Sequence, residues 1–214
     1  MRKIALFCLL GLAALTTEAQ TRFGIKAGLN LSDVNGKSDG ESLGNTTKMT
    51  PGFHAGVIAD FSISDNVFVQ PGILVSQKGF RIEESVMGFT IKNTTSLLYA
   101  EIPVNIGYRL ELGDNAKLYF MAGPYVGYGI TGKSKTQVTG SPSETEDVEW
   151  GNEAGELKRL DFGVNAGAGV EISNILIGAQ YGLGLSNNIA EGDKDNSFKN
   201  AVIGISLGYL FGGK

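Results

Sequence analysis

Apolar and non-apolar residues alternate along most of this chain with a period of two. In residues 23–31 the odd positions are Phe23, Ile25, Ala27, Leu29 and Leu31, and the even positions are Gly24, Lys26, Gly28 and Asn30. A β-strand sends successive side chains to opposite faces, so one face of this segment is apolar and the other is polar or bare. Residues 53–63 repeat the pattern with only Ile58 out of phase. Residues 67–80 alternate less cleanly, and Pro71, which has no amide to give a ladder, predicts a bulge there. Regular alternation returns in residues 98–110, 117–130, 159–172, 175–186 and 201–211.

The connections alternate too. Residues 64–66, 111–115 and 173–174 are tight and rich in Asp, Asn, Gly and Ser, as turns between adjacent antiparallel strands are. Residues 32–50, 81–94, 131–156 and 187–197 are long and polar, and read as loops. Short turns at one end and long loops at the other predict an all-β, closed, antiparallel up-and-down barrel of about eight strands.

Two features decide which way the apolar face points. The opposite face carries mostly glycine and isolated charges, not the dense Lys, Glu and Thr of a solvated surface, and a barrel this narrow has little room inside for side chains. The segments are also about ten residues or longer, enough to cross a bilayer at a tilt, where soluble strands average about five or six. Tyr108, Tyr128, Tyr181, Tyr209, Phe53 and Phe211 sit near segment ends on the apolar face, where interfacial aromatic girdles lie. The expectation is a transmembrane barrel with lipid as its first partner.

Composition narrows this further. Hydrophobic residues are 42% of the 214 and glycines number 31, with no collagen-like period. Arg2 and Lys3, then the apolar run 4–15, then small residues up to Ala19, predict a secretory signal over 1–19 and a barrel domain over 20–214. Cys8, the one cysteine, falls in that leader, so the barrel domain has neither disulfide nor thiol chemistry. The whole chain carries −4, and losing Arg2, Lys3 and Glu18 makes it one unit more negative, which disfavours a nucleic-acid partner. Export followed by insertion into the outer membrane of a Gram-negative bacterium implies barrel-assembly machinery as a second partner.

Several segments carry a family likeness. Phe23-Gly-Ile-Lys-Ala-Gly-Leu-Asn30 resembles the opening strand of outer-membrane β-barrel proteins of Bacteroidetes-type bacteria, the PorT-like group. Tyr99-Ala-Glu-Ile-Pro-Val-Asn105 resembles that group's central strand, and Asp161-Phe-Gly163 with Gly167-Ala-Gly-Val-Glu171 its sixth. Gln180-Tyr-Gly-Leu-Gly-Leu-Ser-Asn187 and Ile205-Ser-Leu-Gly-Tyr-Leu-Phe211 resemble its last two. The resemblance implies an integral outer-membrane barrel and, through the PorT-like members, a role in protein export or surface assembly. It fixes no biochemical activity.

The candidate site residues are those the alternation sends inward: Lys26, Asp60, Glu101, Asn105, Arg109, Arg159, Asp161 and Glu171. Charges in a narrow lumen need partners, so the expectation is a structural polar network, with Glu101 pairing to Arg159 or Arg109, and the alternative is a proton or ion path. His54, the only histidine, falls near the outer end of its strand beside Ser76, and the corresponding alternative is a lipid-modifying barrel enzyme. The loop around Trp150 holds Glu144, Glu146, Asp147, Glu149, Glu153 and Glu156. These carboxylates lack the fixed spacing of a calcium loop, so a solvated loop is expected, with exposed Trp150 as a candidate contact for an extracellular or envelope protein. No zinc spacing, phosphate loop or nucleophile elbow is present, and no metal or cofactor is expected. The reading is a non-enzymatic barrel with a structural or interaction role.

Overall fold

Each long strand pairs with two other long strands, and the last closes on the first. The computed structural model describes residues 21–38, 40–42, 46–86, 89–153, 155–193 and 195–212. The expected leader over 1–19 lies outside the described residues. In chain order the strands are β1 (Thr21–Ser38), β2 (Glu41–Ser42), β3 (Thr47–Ser62), β4 (Val67–Val86), β5 (Phe89–Gly113), β6 (Ala116–Val138), β7 (Glu144–Asp147), β8 (Leu160–Ile172), β9 (Ile175–Gly184) and β10 (Ser197–Phe211). Eight of them form the ring β1-β3-β4-β5-β6-β8-β9-β10, all antiparallel, while β2 pairs only with β1 and β7 only with β6. The ladder between β1 and β10, from Phe23↔Phe211 to Lys37↔Ser197, seals the ring and removes both edges.

The two faces are inverted relative to a soluble barrel. Leu29 is 72% exposed and Ile205 64%, whereas Asp60 and Asp161 are fully buried. The expected girdle aromatics Phe53, Tyr108, Tyr128, Tyr181, Tyr209 and Phe211 are all exposed on the outer wall. An outer wall of Ile, Leu, Val and aromatic side chains around a charged interior is stable only where the surrounding solvent is hydrocarbon. Ile58, out of phase in its segment, points inward and is buried.

Two expectations are corrected. Residues 81–86 and 89–94 are strand, not loop: β4 and β5 stay paired from Arg81↔Thr94 to Val86↔Phe89, and β5 remains paired with β6 as far as Ile91↔Val138. These residues lie beyond the apolar wall, so no hydrocarbon-facing side imposes alternation, and the pattern that marks strands elsewhere is missing from a true ladder. Residues 131–138 and 32–38 extend β6 and β1 in the same way. Pro71 makes no bulge. The β3–β4 register is the same at Ile58↔Gly72 and Phe61↔Val69, and the β4–β5 register is the same at Pro71↔Val104 and Leu74↔Glu101. The slip in β3–β4 falls instead between Met49 and His54, around Pro51, and a second falls between Leu98 and Tyr99 in β5–β6. Both lie where the ladder leaves the apolar wall, at the barrel rim, a frequent place for bulges.

Glycine packing explains the bare inward positions. A methyl on Gly107 would overlap the ring of Phe68, and one on Gly169 or Gly178 would overlap the Tyr119 hydroxyl. Phe68 and Tyr119 belong to a buried apolar group with Ile58, Met121, Leu176 and Leu210. Each large side chain fits in the lumen because the strand facing it has none.

Gly107→Val is therefore expected to destabilise the barrel by about 1–3 kcal/mol through overpacking. Phe68→Ala in the same chain should recover part of that loss. Urea unfolding in detergent micelles, followed by far-UV circular dichroism, measures both.

Candidate functional site

The lumen is filled in layers. At the end bearing the tight turns, four charged side chains from β1, β3, β5 and β8 form a closed ring. Arg22 reaches Glu171 Oε1 at 2.5 Å and Asp60 Oδ1 at 3.3 Å. Arg109 reaches Asp60 Oδ2 at 2.5 Å and Glu171 Oε2 at 2.9 Å. Each carboxylate thus takes both guanidinium groups, and Gln70 donates a further hydrogen bond to Asp60 at 3.1 Å. The Arg109 guanidinium also lies 3.8 Å from the centre of the Phe68 ring, so the ion ring rests on the apolar group. Because each arginine bridges the two carboxylates, all four carboxylate oxygens that burial would otherwise leave without partners are satisfied.

Above this ring, Lys26 Nζ donates to Gln180 Oε1 at 2.8 Å. Beside them is a cavity of about 10 Å³, lined among others by Lys26, Glu101, Asn105 and Gln180, with the space of one water. Towards the loop end, Lys78 lies 2.8 Å from Glu101 Oε2 and 3.0 Å from Asp161 Oδ2, with its ammonium 4.2 Å from the centre of the Tyr125 ring. Asp161 also accepts from Ser186 at 2.9 Å and Asn200 at 2.8 Å.

The mouth is closed by a second apolar group. Val34, Leu97, Tyr99 and Phe198 are buried there, with Phe80, Val148, Trp150, Leu157 and Ile189 against them. Trp150 stands edge-on to Tyr99, with ring centres 5.9 Å apart.

Of the residues expected in the lumen network, Lys26, Asp60, Glu101, Asn105, Arg109, Asp161 and Glu171 are buried inside the barrel. Four expectations are corrected. Glu101 pairs with Lys78, not with Arg109 or Arg159, because Arg109 is already committed to Asp60 and Glu171. Arg159 is at the mouth, outside the network: its Nη1 donates to the Gly129 carbonyl at 2.8 Å, and its guanidinium is 5.5 Å from the Trp150 ring. Trp150 is half-buried, turned inward over Gly129 and Tyr99 instead of projecting as a contact. His54 is not accessible at the rim: it is buried in the row of Ser76 and Tyr99, with Nδ1 2.8 Å from Asn30 Oδ1 and Nε2 2.9 Å from Ser206 Oγ. Ser76 instead accepts from Asn30 at 3.3 Å.

Arg22 and Lys78 escaped the sequence reading. Arg22 lies one residue before the first clean alternation, and Lys78 lies in the least regular segment. The signal that would have found Lys78 is its parity with Ser76 and Leu74 on the inward face.

Asn30, His54 and Ser206 are in line like an acyl-transfer relay, but the group is walled in. A methyl on Gly28 would overlap the His54 ring, and Ser206 is itself buried, so no acyl chain reaches its hydroxyl. Among the described residues no cluster of His, Cys, Asp and Glu is disposed to hold a metal.

A family model described as outer membrane protein beta-barrel domain matches residues 18–190. Among solved structures, Ail, the attachment invasion locus protein of Yersinia pestis, is 20% identical over 89% of this chain and 99% of its own, with a TM-score of 0.42. Neisserial surface protein A is 11% identical over 88% and 97% of the two chains, with a TM-score of 0.46. OprG of Pseudomonas aeruginosa is 13% identical over 91% and 98%, with a TM-score of 0.41. No curated protein matches the chain.

Lys78→Met leaves Glu101 and Asp161 buried without their cation, and is expected to cost about 3–5 kcal/mol of stability. Lys92→Ser, on an exposed side chain, should stay within about 0.5 kcal/mol. Adding Asp161→Asn and Glu101→Gln to Lys78→Met should return part of the loss, and chemical unfolding of the three variants beside the unaltered protein in one detergent measures the differences.

Proposed function

This chain belongs to the outer membrane protein beta-barrel domain family, and on that premise we propose that it is a non-conducting, non-enzymatic outer-membrane barrel whose activity lies on its loop-end surface. The supporting observation is the filled lumen. The Arg22–Asp60–Arg109–Glu171 ring and the Val34–Leu97–Tyr99–Phe198 group lie at opposite ends, so a path for ions would have to cross both.

What remains available is the sheet that stands above the apolar wall, formed by the ends of β4, β5 and β6 with β7. In outer-membrane barrels the long connections face outside and the tight turns face the periplasm, which puts this sheet at the cell surface. Its hairpin carries Phe89 and Ile91, 59% and 40% exposed, near the tip. Exposed apolar side chains on a polar projection favour a protein contact. The resemblance of Tyr99–Asn105 and its flanking strands to PorT-like barrels supports a place in export or surface assembly for that contact. Delivery would follow removal of residues 1–19 and insertion by the barrel-assembly machinery.

The lipid-modifying alternative is disfavoured by the burial of His54 and Ser206, whose hydrogen bonds tie β1, β3 and β10 together across the seam where the ring closes.

Two measurements test the proposal. In planar bilayers the protein should show no current above leak, and Trp150→Ala should also stay closed because the charged ring at the turn end is intact. A stable unitary current from the unaltered protein would overturn the blocked-lumen reading. In intact cells Thr145→Cys should react with a membrane-impermeant maleimide, and Asp114→Cys, on the opposite end, should react only after lysis.

A further inference from the structure

We propose that the outward face of the projecting sheet is a binding surface for the phosphate groups of outer-leaflet lipid headgroups. This rests on the membrane orientation above and goes beyond it by assigning a ligand to one wall of the projection.

Lys48 pairs with Arg81, Arg81 with Thr94, and Thr94 with Lys135. The neighbouring rows contain Glu83 opposite Lys92, and Ser96 opposite Lys133. Alternation places all of these on the side that continues the lipid-facing wall, above Leu98, Ala100 and Tyr128. Five cations from four strands therefore share one face, against Glu83 and Asp147 on the same side.

This is not the charge of the chain, which is −4 overall. The sheet sorts its charges. On β7, Glu144 and Glu146 pair with Thr136 and Ser134, while Thr145 and Asp147 pair with Lys135 and Lys133. The two glutamates thus fall on the opposite face, as does Glu84, and the cations are left to the outside. Glu83 cannot neutralise its neighbours. Lys48 hydrogen-bonds to it, Arg81 lies 3.2 Å from it and Lys92 3.7 Å, and these cations hold its carboxyl below the usual carboxylate range. Three positive charges around one carboxylate leave an excess. Lys133 and Lys135 make no ion pair among the described residues, apart from facing Asp147 across the ladder.

Height selects the ligand. On a strand tilted by about 40°, two residues rise about 5 Å and four about 10 Å. The Lys133 and Lys135 rows lie two and four residues above the Leu98–Thr131 pair that ends the apolar wall. A headgroup layer starts there, and lysine stems can lie along the wall with the ammonium among the phosphates. A soluble acidic protein would meet the tip of the sheet more readily than a side wall facing the bilayer plane.

The test uses the protein purified from membranes and placed in phosphatidylcholine nanodiscs containing a minor fraction of a bis-phosphorylated glycolipid, or the same glycolipid with its phosphates removed. Lipid retained on the protein after detergent extraction is read by mass spectrometry. The phosphorylated form should be enriched, and Lys133→Ser and Lys135→Ser should each reduce enrichment by about fivefold. Both variants are exposed changes far from the lumen, and an unchanged heat-dependent gel shift checks that each barrel is folded. Millimolar inorganic phosphate should not displace the lipid. Equal retention of the two glycolipids, retention indifferent to the lysines, or full displacement by inorganic phosphate would overturn the proposal while leaving the membrane barrel in place. Failure of the unaltered protein to enter the nanodisc would overturn both.

Discussion

In hydrocarbon an amide without a hydrogen-bond partner costs several kcal/mol, and no water is at hand to relieve it. The ladder between β1 and β10 meets that constraint for the whole molecule. Once Phe23–Lys37 is paired with Ser197–Phe211, no strand of the ring has an open edge within the apolar wall. Closure then fixes a narrow interior, and the rest of the structure answers to that narrowness. Large side chains need bare partners, which is why Phe68 and Tyr119 lie against glycines. Ionic groups need counter-ions within reach, which is why Asp60 and Glu171 are each held by both Arg22 and Arg109.

The interior thereby becomes a device for rigidity. Its ion pairs join strands far apart in sequence: Arg22 on β1 to Glu171 on β8, Lys78 on β4 to Asp161 on β8. Such cross-barrel ties hold the ring's shape without contributing a channel. Buried ion pairs are weak evidence of stability when compared with an apolar filling, but they are intolerant of losing one member. This filling of the lumen is what supports the proposal that the barrel presents a surface and does not conduct.

The proposed contacts therefore lie on the part of the molecule where the constraint is lifted. Above the apolar wall, the ends of β4, β5 and β6 with β7 are free to carry any polar pattern, and strand alternation sorts their charge into a cationic side wall and an acidic opposite face. The blocked mouth beneath them, closed by Tyr99, Phe198 and Trp150, gives this sheet a solid base.

The alternation of residues by itself determined the class of fold, the number of wall strands, the outward apolar face and the aromatic girdle, because each of these follows from side chains on successive residues pointing opposite ways. It also determined which carboxylates face inward, since parity alone places Asp60, Glu101, Asp161 and Glu171. Parity says nothing about which strands lie across the lumen. Only closure of the ring decided that Glu101 meets Lys78, that Arg109 is taken by Asp60 and Glu171, and that His54 lies between Asn30 and Ser206. The projecting strands were hidden for a related reason: a ladder with no hydrocarbon on either side leaves no hydrophobic period to read. Trp150 was misplaced because its acidic neighbours suggested solvent, whereas the apolar mouth contributed by β1, β5 and β10 drew the ring inward, a contact that exists only in three dimensions.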